Sequence, residues 1–413
     1  MLTSYFDAGY AVRRLRRSTS ARYIESFARF LAESGYSRSA GRIRLRTASE
    51  FAAWADSKAI PVAAFDEASI ARFATARWRR AGGIRRRPRK DELTVLPLFV
   101  THLRSHGVVP PRVIRGPRLP ALAKAYGSWL SAHRGVQPKT REQYESKVVR
   151  LVAALGENPA TYNALAIRQF IMKWSKSHGL ASTRFTIAVV RSFIRYLIVQ
   201  GQCRVGLDAA VPQVAAWRLA SLPRYVSAEA VDRIVAASGG DTPRGARNHA
   251  VLLLLARLGL RASEVAKLRI DDIAWESGTF TVRGKGRRNA VLPLPQDVGN
   301  ALGRYIREFR PAHPDPRVFL RVRAPFRPLG CAESVSHIVR GALRRAGMAD
   351  VPIRGAHLLR HSAATAMLRS GASLDAVRGI LRHRLTETTA VYAKVDVETL
   401  KTVARPWPGA EVA

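Results

Sequence analysis

The chain has 413 residues, 47% of them hydrophobic, and a formal net charge of +39 from 69 Lys and Arg against 30 Asp and Glu. That length exceeds what one hydrophobic core sustains and predicts two or three domains; the charge is far beyond what solubility asks for and predicts a polyanionic partner. Two cysteines, Cys203 and Cys331, exclude a disulfide framework, the ten histidines show no metal-site spacing with them, and the longest apolar run, Ala250 to Ala256, is too short to span a bilayer.

The N-terminus, Met-Leu-Thr-Ser-Tyr-Phe-Asp, carries an acidic residue and no apolar signal region. A cytoplasmic protein away from membranes is therefore expected. Basic residues are spread along the whole chain, the pattern of several domains tracking a long phosphate backbone.

In chain order, the first segment with helical periodicity contains Phe27, Phe30, Leu31 and Gly35, and a second contains Tyr126, Trp129, Leu130 and Gly135, each ending on a glycine just past its helix. The likeness returns at Ile70-Ala71-Arg72-Phe73 against Ile167-Arg168-Gln169-Phe170, and at FVTHLRSHG (99–107) against FIRYLIVQG (193–201). An internal duplication follows, each copy being about four short amphipathic helices with starts near Ser37 to Ser39 and Gln137 to Thr140. Arg42, Arg44 and Arg46 in the first copy and Lys139, Arg141 and Lys147 in the second read as polar-face cations for DNA, given the charge of the whole chain. The cluster Arg79, Arg80, Arg85, Arg86, Arg87, Arg89 and Lys90 reads as a basic loop. Pro-containing basic stretches at Pro110 to Pro120, at Gln202 to Pro223 and after Ala404 read as linkers or tail.

From Tyr225 the texture becomes mixed. Val226 to Ala237 and Arg244 to Leu258 read as helices, and Gly259 to Glu264 starts another, with Ser263 or the preceding glycine near the boundary. Gly278 to Arg283 and Ala290 to Leu294 read as strands of a hairpin around Gly284 to Asn289. Helices are expected again at Ser334 to Ala346, His361 to Ser370, Leu374 to Leu381 and Glu387 to Lys394.

Four separated motifs carry chemistry. Gly259-Leu260-Arg261-Ala262-Ser263-Glu264 places an arginine at a helix start, and Lys285 sits at the hairpin tip on a flexible stem. His357-Leu358-Leu359-Arg360-His361 puts an imidazole and a guanidinium three apart, on one helical face. Leu381-Arg382-His383 is followed nine residues later by Tyr392. Each alone is ordinary: a surface arginine or a core tyrosine explains it as well.

Together, and in this order, Arg261, Lys285, His357, Arg360, His383 and Tyr392 resemble the catalytic set of the tyrosine recombinase, or phage integrase, family over about Leu222 to Ala404. The resemblance implies a mainly α fold with a small antiparallel β-sheet, in which two helical SAM-like DNA-binding domains precede an α+β catalytic domain. It implies boundaries at 1–117 for an additional N-terminal DNA-binding or interaction module, 118–205 for a core-binding domain and 222–405 for the catalytic domain, with a tail at 406–413. It also implies a site-specific recombinase of a mobile element that forms a 3′-phosphotyrosine on double-stranded DNA, as a homo-tetramer, with partner recombinases conceivable. The helix expected beyond Tyr392, with Val395, Val397, Leu400 and Val403 on one face, would pack on a neighbouring subunit in that assembly. Where the family has glycine before the third-box histidine this chain has Arg382, expected to alter the helix start or add a phosphate contact.

The residue types suit that reaction. A tyrosine hydroxyl, with an ordinary pKa of ~10, needs a proton acceptor and an electropositive site. Arg261 and Arg360 would stabilise charge on the non-bridging oxygens, and Lys285 would protonate the leaving 5′-oxygen. His357 would handle the tyrosine proton and His383 would bond a non-bridging oxygen. Without the paired carboxylates of a two-metal nuclease, neither metal nor cofactor is expected. Two other readings remain open: a type IB topoisomerase-like enzyme, and a catalytically silent DNA-binding accessory protein.

Overall fold

The computed structural model describes residues 2–7, 9–15, 19–80, 90–111, 119–214, 224–284, 289–351, 355–383 and 386–393. By backbone proximity the chain forms two compact units, Met1–Pro111 with Leu219–Ala413, and Arg112–Arg218. The fold is mainly α with one small antiparallel sheet.

The first unit begins with α1 (Leu2–Tyr5), α2 (Gly9–Leu15), α3 (Ala21–Glu33), α4 (Arg38–Asp56), α5 (Glu67–Arg80) and α6 (Lys90–Ser105). The second unit holds α7 (Ala121–Arg134), α8 (Pro138–Leu155), α9 (Ala164–Ser177) and α10 (Leu180–Val199). Apolar residues at i, i+3, i+4 and i+7 explain the packing: Ile24, Phe27, Ala28 and Leu31 bury one face of α3.

The repeat seen in the sequence is also geometric. A short 3₁₀ turn sits at the same place in each copy, Val62–Ala64 and Pro159–Thr161. Phe27 stacks on Phe30 at 5.9 Å and meets Phe99 at 5.0 Å; Tyr126 stacks on Trp129 at 6.1 Å and meets Phe193 at 5.2 Å. His102 then touches both Phe27 and Phe30, as Tyr196 touches Tyr126 and Trp129. Burial, and then the neighbouring His106, push the His102 imidazole down to about 4, so at neutral pH it packs as an uncharged ring where the other copy has tyrosine. Gly107 and Gly201 end the last helices at φ 69° and 68°.

The copies differ in what covers the second helix. In the first, Tyr5 lies where a Cβ on Gly41 would be, its carbonyl accepts from Arg42 Nε at 2.6 Å, and Asp7 pairs with Arg38 and Arg42. Arg46 lies over the Phe6 ring and Arg44 over Tyr36. The three arginines read from sequence as polar-face cations for DNA are thus partly committed within their own bundle. In the second copy Arg141 pairs with Glu145, and Lys147 stands 4.4 Å over Trp174.

The remainder of the first unit contains α11 (Ala228–Ala236), α12 (Pro243–Leu258), α13 (Ala262–Lys267), β1 (Ile273–Ala274), β2 (Thr279–Arg283), β3 (Asn289–Pro293), α14 (Gln296–Arg304), α15 (Ala332–Arg345), α16 (Ala356–Arg369), α17 (Leu374–Leu381) and α18 (Thr386–Ala393). The strands pair antiparallel in the order β1-β2-β3, with Phe280 opposite Leu292 and turned into the core. The hairpin tip with Lys285 lies outside the described residues, as do positions 81–89 of the basic cluster and the segment after Ala393. Helix α5 runs through Arg80 and α6 starts at Lys90, so Arg79, Arg80 and Lys90 are helical rather than part of a loop. The stretch from Gln202 is not a plain linker in its first half: Val211 is buried, its carbonyl accepts from Arg191, and Asp208 pairs with Arg195.

Helix α12 is the axis of this region. Thr242 caps it by accepting from the Gly245 N–H at 3.0 Å, Pro243 starts it, and its run from Ala250 to Ala256 is buried on every side. It stops at Gly259, in the left-handed conformation at φ 57°, where an added Cβ would lie 2.5 Å from Leu381 Cδ2. Gly259→Ala should therefore destabilise the fold by about 2–4 kcal/mol, backbone strain adding to overpacking. Urea unfolding measures this, and a loss below ~0.5 kcal/mol would contradict it.

Candidate active site

Three helix ends converge on one place: the end of α12 running into α13, the first turns of α16, and the end of α17 running into α18. The sequence-predicted residues that lie within the described chain, Arg261, His357, Arg360, His383 and Tyr392, gather there. Lys285 lies outside the described residues.

Arg261 is the N-cap of α13, between the two boundary positions expected, Gly259 and Ser263. The cause is Glu264, whose buried carboxylate accepts the Arg261 backbone N–H at 2.7 Å and the Arg261 Nη1 at 2.8 Å. Arg261 Nη2 donates to the carbonyl of Arg382 at 3.1 Å. About 38% of the Arg261 side chain stays exposed, so this cation is available to an incoming anion.

Arg360 is only 4% exposed. Its Nη1 donates to the Gly259 carbonyl and its Nη2 to the Leu381 carbonyl, tying the end of α12 to the end of α17. Burial, then the charge of Arg261, push its guanidinium down to about 10, which leaves it charged at neutral pH. Helix α16 starts at Ala356, five residues before the expected start, because Leu358 and Leu359 are buried and extend the apolar stripe. His357 and Arg360 are consequently both helical, His357 at the exposed rim and Arg360 inside.

Tyr392 is buried, 2% exposed, in a small cluster with Ala364, Leu368, Val377 and Leu381. Its hydroxyl lies 2.7 Å from Nδ1 of His361, a residue that the sequence reading quoted but did not select. The His383 ring stacks parallel to Tyr392 at 6.2 Å, and its Nδ1 meets Thr389 Oγ1 at 2.9 Å. His357 instead faces His361, ring centres 6.3 Å apart. Three imidazoles thus line the approach to one hydroxyl.

Their electrostatics agree. Burial, then Arg360 and Arg261, lower His357; burial, then His357 and Arg360, lower His361; burial, then Arg360 and Arg261, push His383 down to about 4. All three are neutral at pH 7 and able to accept a proton or a hydrogen bond. Burial raises the Tyr392 hydroxyl above its ordinary value, with Arg360 pulling the other way. The tyrosine is therefore a neutral phenol at rest, next to a neutral base.

Arg382 departs from its expected place. It does not begin a helix but ends α17, in the left-handed conformation, and its guanidinium points to Glu264 rather than to solvent. Among the described residues no helix is long and apolar enough to cross a membrane.

Comparison with known proteins agrees with this geometry. The sequence profile described as the phage integrase family matches residues 224–399. "Putative integrase/recombinase y4rA" of Sinorhizobium fredii is 35% identical over 98% of this chain and 98% of its own length. Tyrosine recombinase XerD of Listeria innocua is 29% identical over 67% of this chain and 94% of its own. Among solved structures, a lambda integrase (75–356) dimer bound to a COC′ core site shares the fold with a TM-score of 0.52 at 17% identity, covering 71% of this chain and 98% of that one. XerH bound to its difH substrate gives a TM-score of 0.51 at 17% identity over 69% and 85%. With a 35% identical relative aligned along nearly its whole length, and a tyrosine set among two arginines and three neutral histidines, the chain belongs to the phage integrase family of tyrosine recombinases.

Proposed function

We propose that this recombinase cuts and rejoins double-stranded DNA by direct attack of Tyr392 on a backbone phosphate. The observation that carries the reading is the 2.7 Å contact between the Tyr392 hydroxyl and His361 Nδ1, inside a cluster that also holds Arg261 and Arg360. In the cleavage step the Tyr392 oxygen forms a bond to phosphorus, the bond from phosphorus to the 5′-oxygen breaks, and a 3′-phosphotyrosine and a 5′-hydroxyl result. The phenolic proton passes to His361, with His357 beside it. Arg261 and Arg360 hold the non-bridging oxygens as charge builds on them, His383 donates a further hydrogen bond, and Lys285 protonates the leaving oxygen. Rejoining runs the same transfers backwards on a different 5′-end. The ester conserves the energy of the broken linkage, so no nucleotide or metal enters the balance.

Residues 222–405 form the catalytic domain in this reading, 118–205 the core-binding domain, 1–117 an additional DNA-binding or interaction module, and 406–413 a tail. The enzyme works in the cytoplasm as a homo-tetramer on two duplexes, and the +39 charge makes binding steeply salt-dependent.

The test is a suicide DNA substrate whose nicked strand diffuses away after cleavage. A covalent adduct should accumulate, and mass spectrometry of its digest should place the nucleotide on the peptide containing Tyr392. Attachment at another residue, or no adduct on DNA carrying the element's own ends, would overturn the reading.

A further inference from the structure

Arg382 occupies a conformation that suits glycine. Its φ of 55° and ψ of 48° place it in the left-handed region, and among the described residues it shares positive φ outside glycine with Ala59 alone. A side chain there is held against the backbone preference of L residues. The side chain is nonetheless ordered inward. It is only 13% exposed, its Nη2 lies 2.7 Å from Glu264 Oε2, and its Nη1 donates to the Ile380 carbonyl at 2.8 Å.

Glu264 is the residue through which this matters. Its two carboxylate oxygens serve the Arg261 backbone N–H, the Arg261 guanidinium and the Arg382 guanidinium at once. A carboxylate with only Arg261 for a partner would cancel that arginine's charge. With Arg382 on its other side the trio carries a net single positive charge. The backbone of Arg382 reaches the same target, since its carbonyl accepts from Arg261 Nη2 at 3.1 Å.

We propose that Arg382 is a positioning residue for the phosphate-binding arginine: its side chain clamps and neutralises Glu264 while its left-handed carbonyl fixes the outer edge of the Arg261 guanidinium. Arg382 does not touch the reacting phosphate. It acts by holding Arg261 in one orientation and keeping the pocket's charge positive. A glycine at this position would relax the backbone and retain the carbonyl, but would leave Arg261 as the one guanidinium hydrogen-bonded to Glu264.

The inference rests on the cleavage reading above, and the test separates the two. Single-turnover adduct formation on saturating suicide DNA is measured for the full chain and for Arg382→Gly, Arg382→Met, Glu264→Gln and the Glu264→Gln/Arg382→Gly double variant, alongside thermal unfolding. Arg382→Gly should unfold at or near the wild-type temperature yet cleave roughly ten- to a hundredfold more slowly. In the Glu264→Gln background the same change should add little, because the path through the carboxylate is already broken. In Arg382→Gly the carboxylate's own step, at the acid end of the profile, should also move to higher pH. The charged groups facing Glu264 are Arg261 on α13, Arg360 on α16 and Arg382 at the end of α17, and losing one of them makes the carboxylate easier to protonate. Arg382→Met keeps the stem's packing and carries the same readouts if the glycine variant does not fold. Wild-type cleavage with unchanged rate and pH profile in the variants would overturn the proposal, as would a loss confined to DNA affinity or one that multiplies fully with Glu264→Gln. Failure of the wild-type chain to form any adduct would overturn the cleavage reading instead.

Discussion

Arg360→Ala is expected to abolish detectable strand cleavage and at the same time to destabilise the catalytic region by about 2–4 kcal/mol. The two effects share a cause. The guanidinium is buried, and its two arms satisfy the Gly259 carbonyl at the end of α12 and the Leu381 carbonyl at the end of α17. Truncation leaves both acceptors in a place water reaches poorly, at a cost of roughly 1–3 kcal/mol each before relaxation. It also removes a fixed cation whose charge acts on the Tyr392 hydroxyl, and a missing transition-state donor costs on the order of 10²–10³ in rate. Arg360→Lys divides the effects: one ammonium keeps the charge but does not span two carbonyls, so part of the stability returns while cleavage stays at least ~10²-fold down. Urea unfolding and single-turnover trapping measure the two quantities. A lysine variant equal to wild type in both would show that the double-carbonyl tie is unimportant.

His361→Ala should slow cleavage by about 10²–10⁴-fold, the usual contribution of a placed proton acceptor. The pH profile gives the sharper test. Burial, followed by the charges of His357 and Arg360, lowers the His361 pKa from its ordinary ~6.5. The imidazole therefore remains neutral, and able to take the phenolic proton, as the pH falls past the usual histidine midpoint. Wild-type cleavage should fall off only below that point, and in His361→Ala this histidine step should vanish from the profile. His361→Gln preserves a hydrogen-bonding group beside Tyr392 without a usable base, so it should restore little of the rate. An alanine variant with wild-type rate and an intact acid limb would move the acceptor role to His357, the next ring outward.

The site was legible where spacing along the chain carried it. Arg261, Arg360, His383 and Tyr392 lie on separate elements and were brought together by their order, which resembles the boxes of a known family, whereas the hairpin and most of the helices from Tyr225 onward were readable from periodicity. His361 was not selected, although it sits in the quoted motif, because its partner Tyr392 lies 31 positions away on another helix. No local pattern announces a contact between α16 and α18. Glu264 did leave a signal, an acidic residue three places after the residue that caps α13, which is half of a capping box. The reading stopped at the arginine. Arg382 was expected to alter a helix start or to add a phosphate contact; in space it closes α17. The arginines of α4 were read as polar-face cations for DNA, since nothing local predicts that Tyr5, Phe6 and Asp7 fold back over them.

The matching aromatic quartets of the two bundles have a consequence for how the protein is made. Phe27, Phe30, Phe99 and His102 make the same pattern of ring contacts as Tyr126, Trp129, Phe193 and Tyr196, so each last helix presents the kind of aromatic face that the other bundle also uses. On the ribosome the two never compete. Helix α6 has emerged and can close the first core before α10 has been synthesised. Refolding from denaturant offers all the helices at once, and there the duplication becomes a source of crossed pairing and aggregation that synthesis from one end avoids.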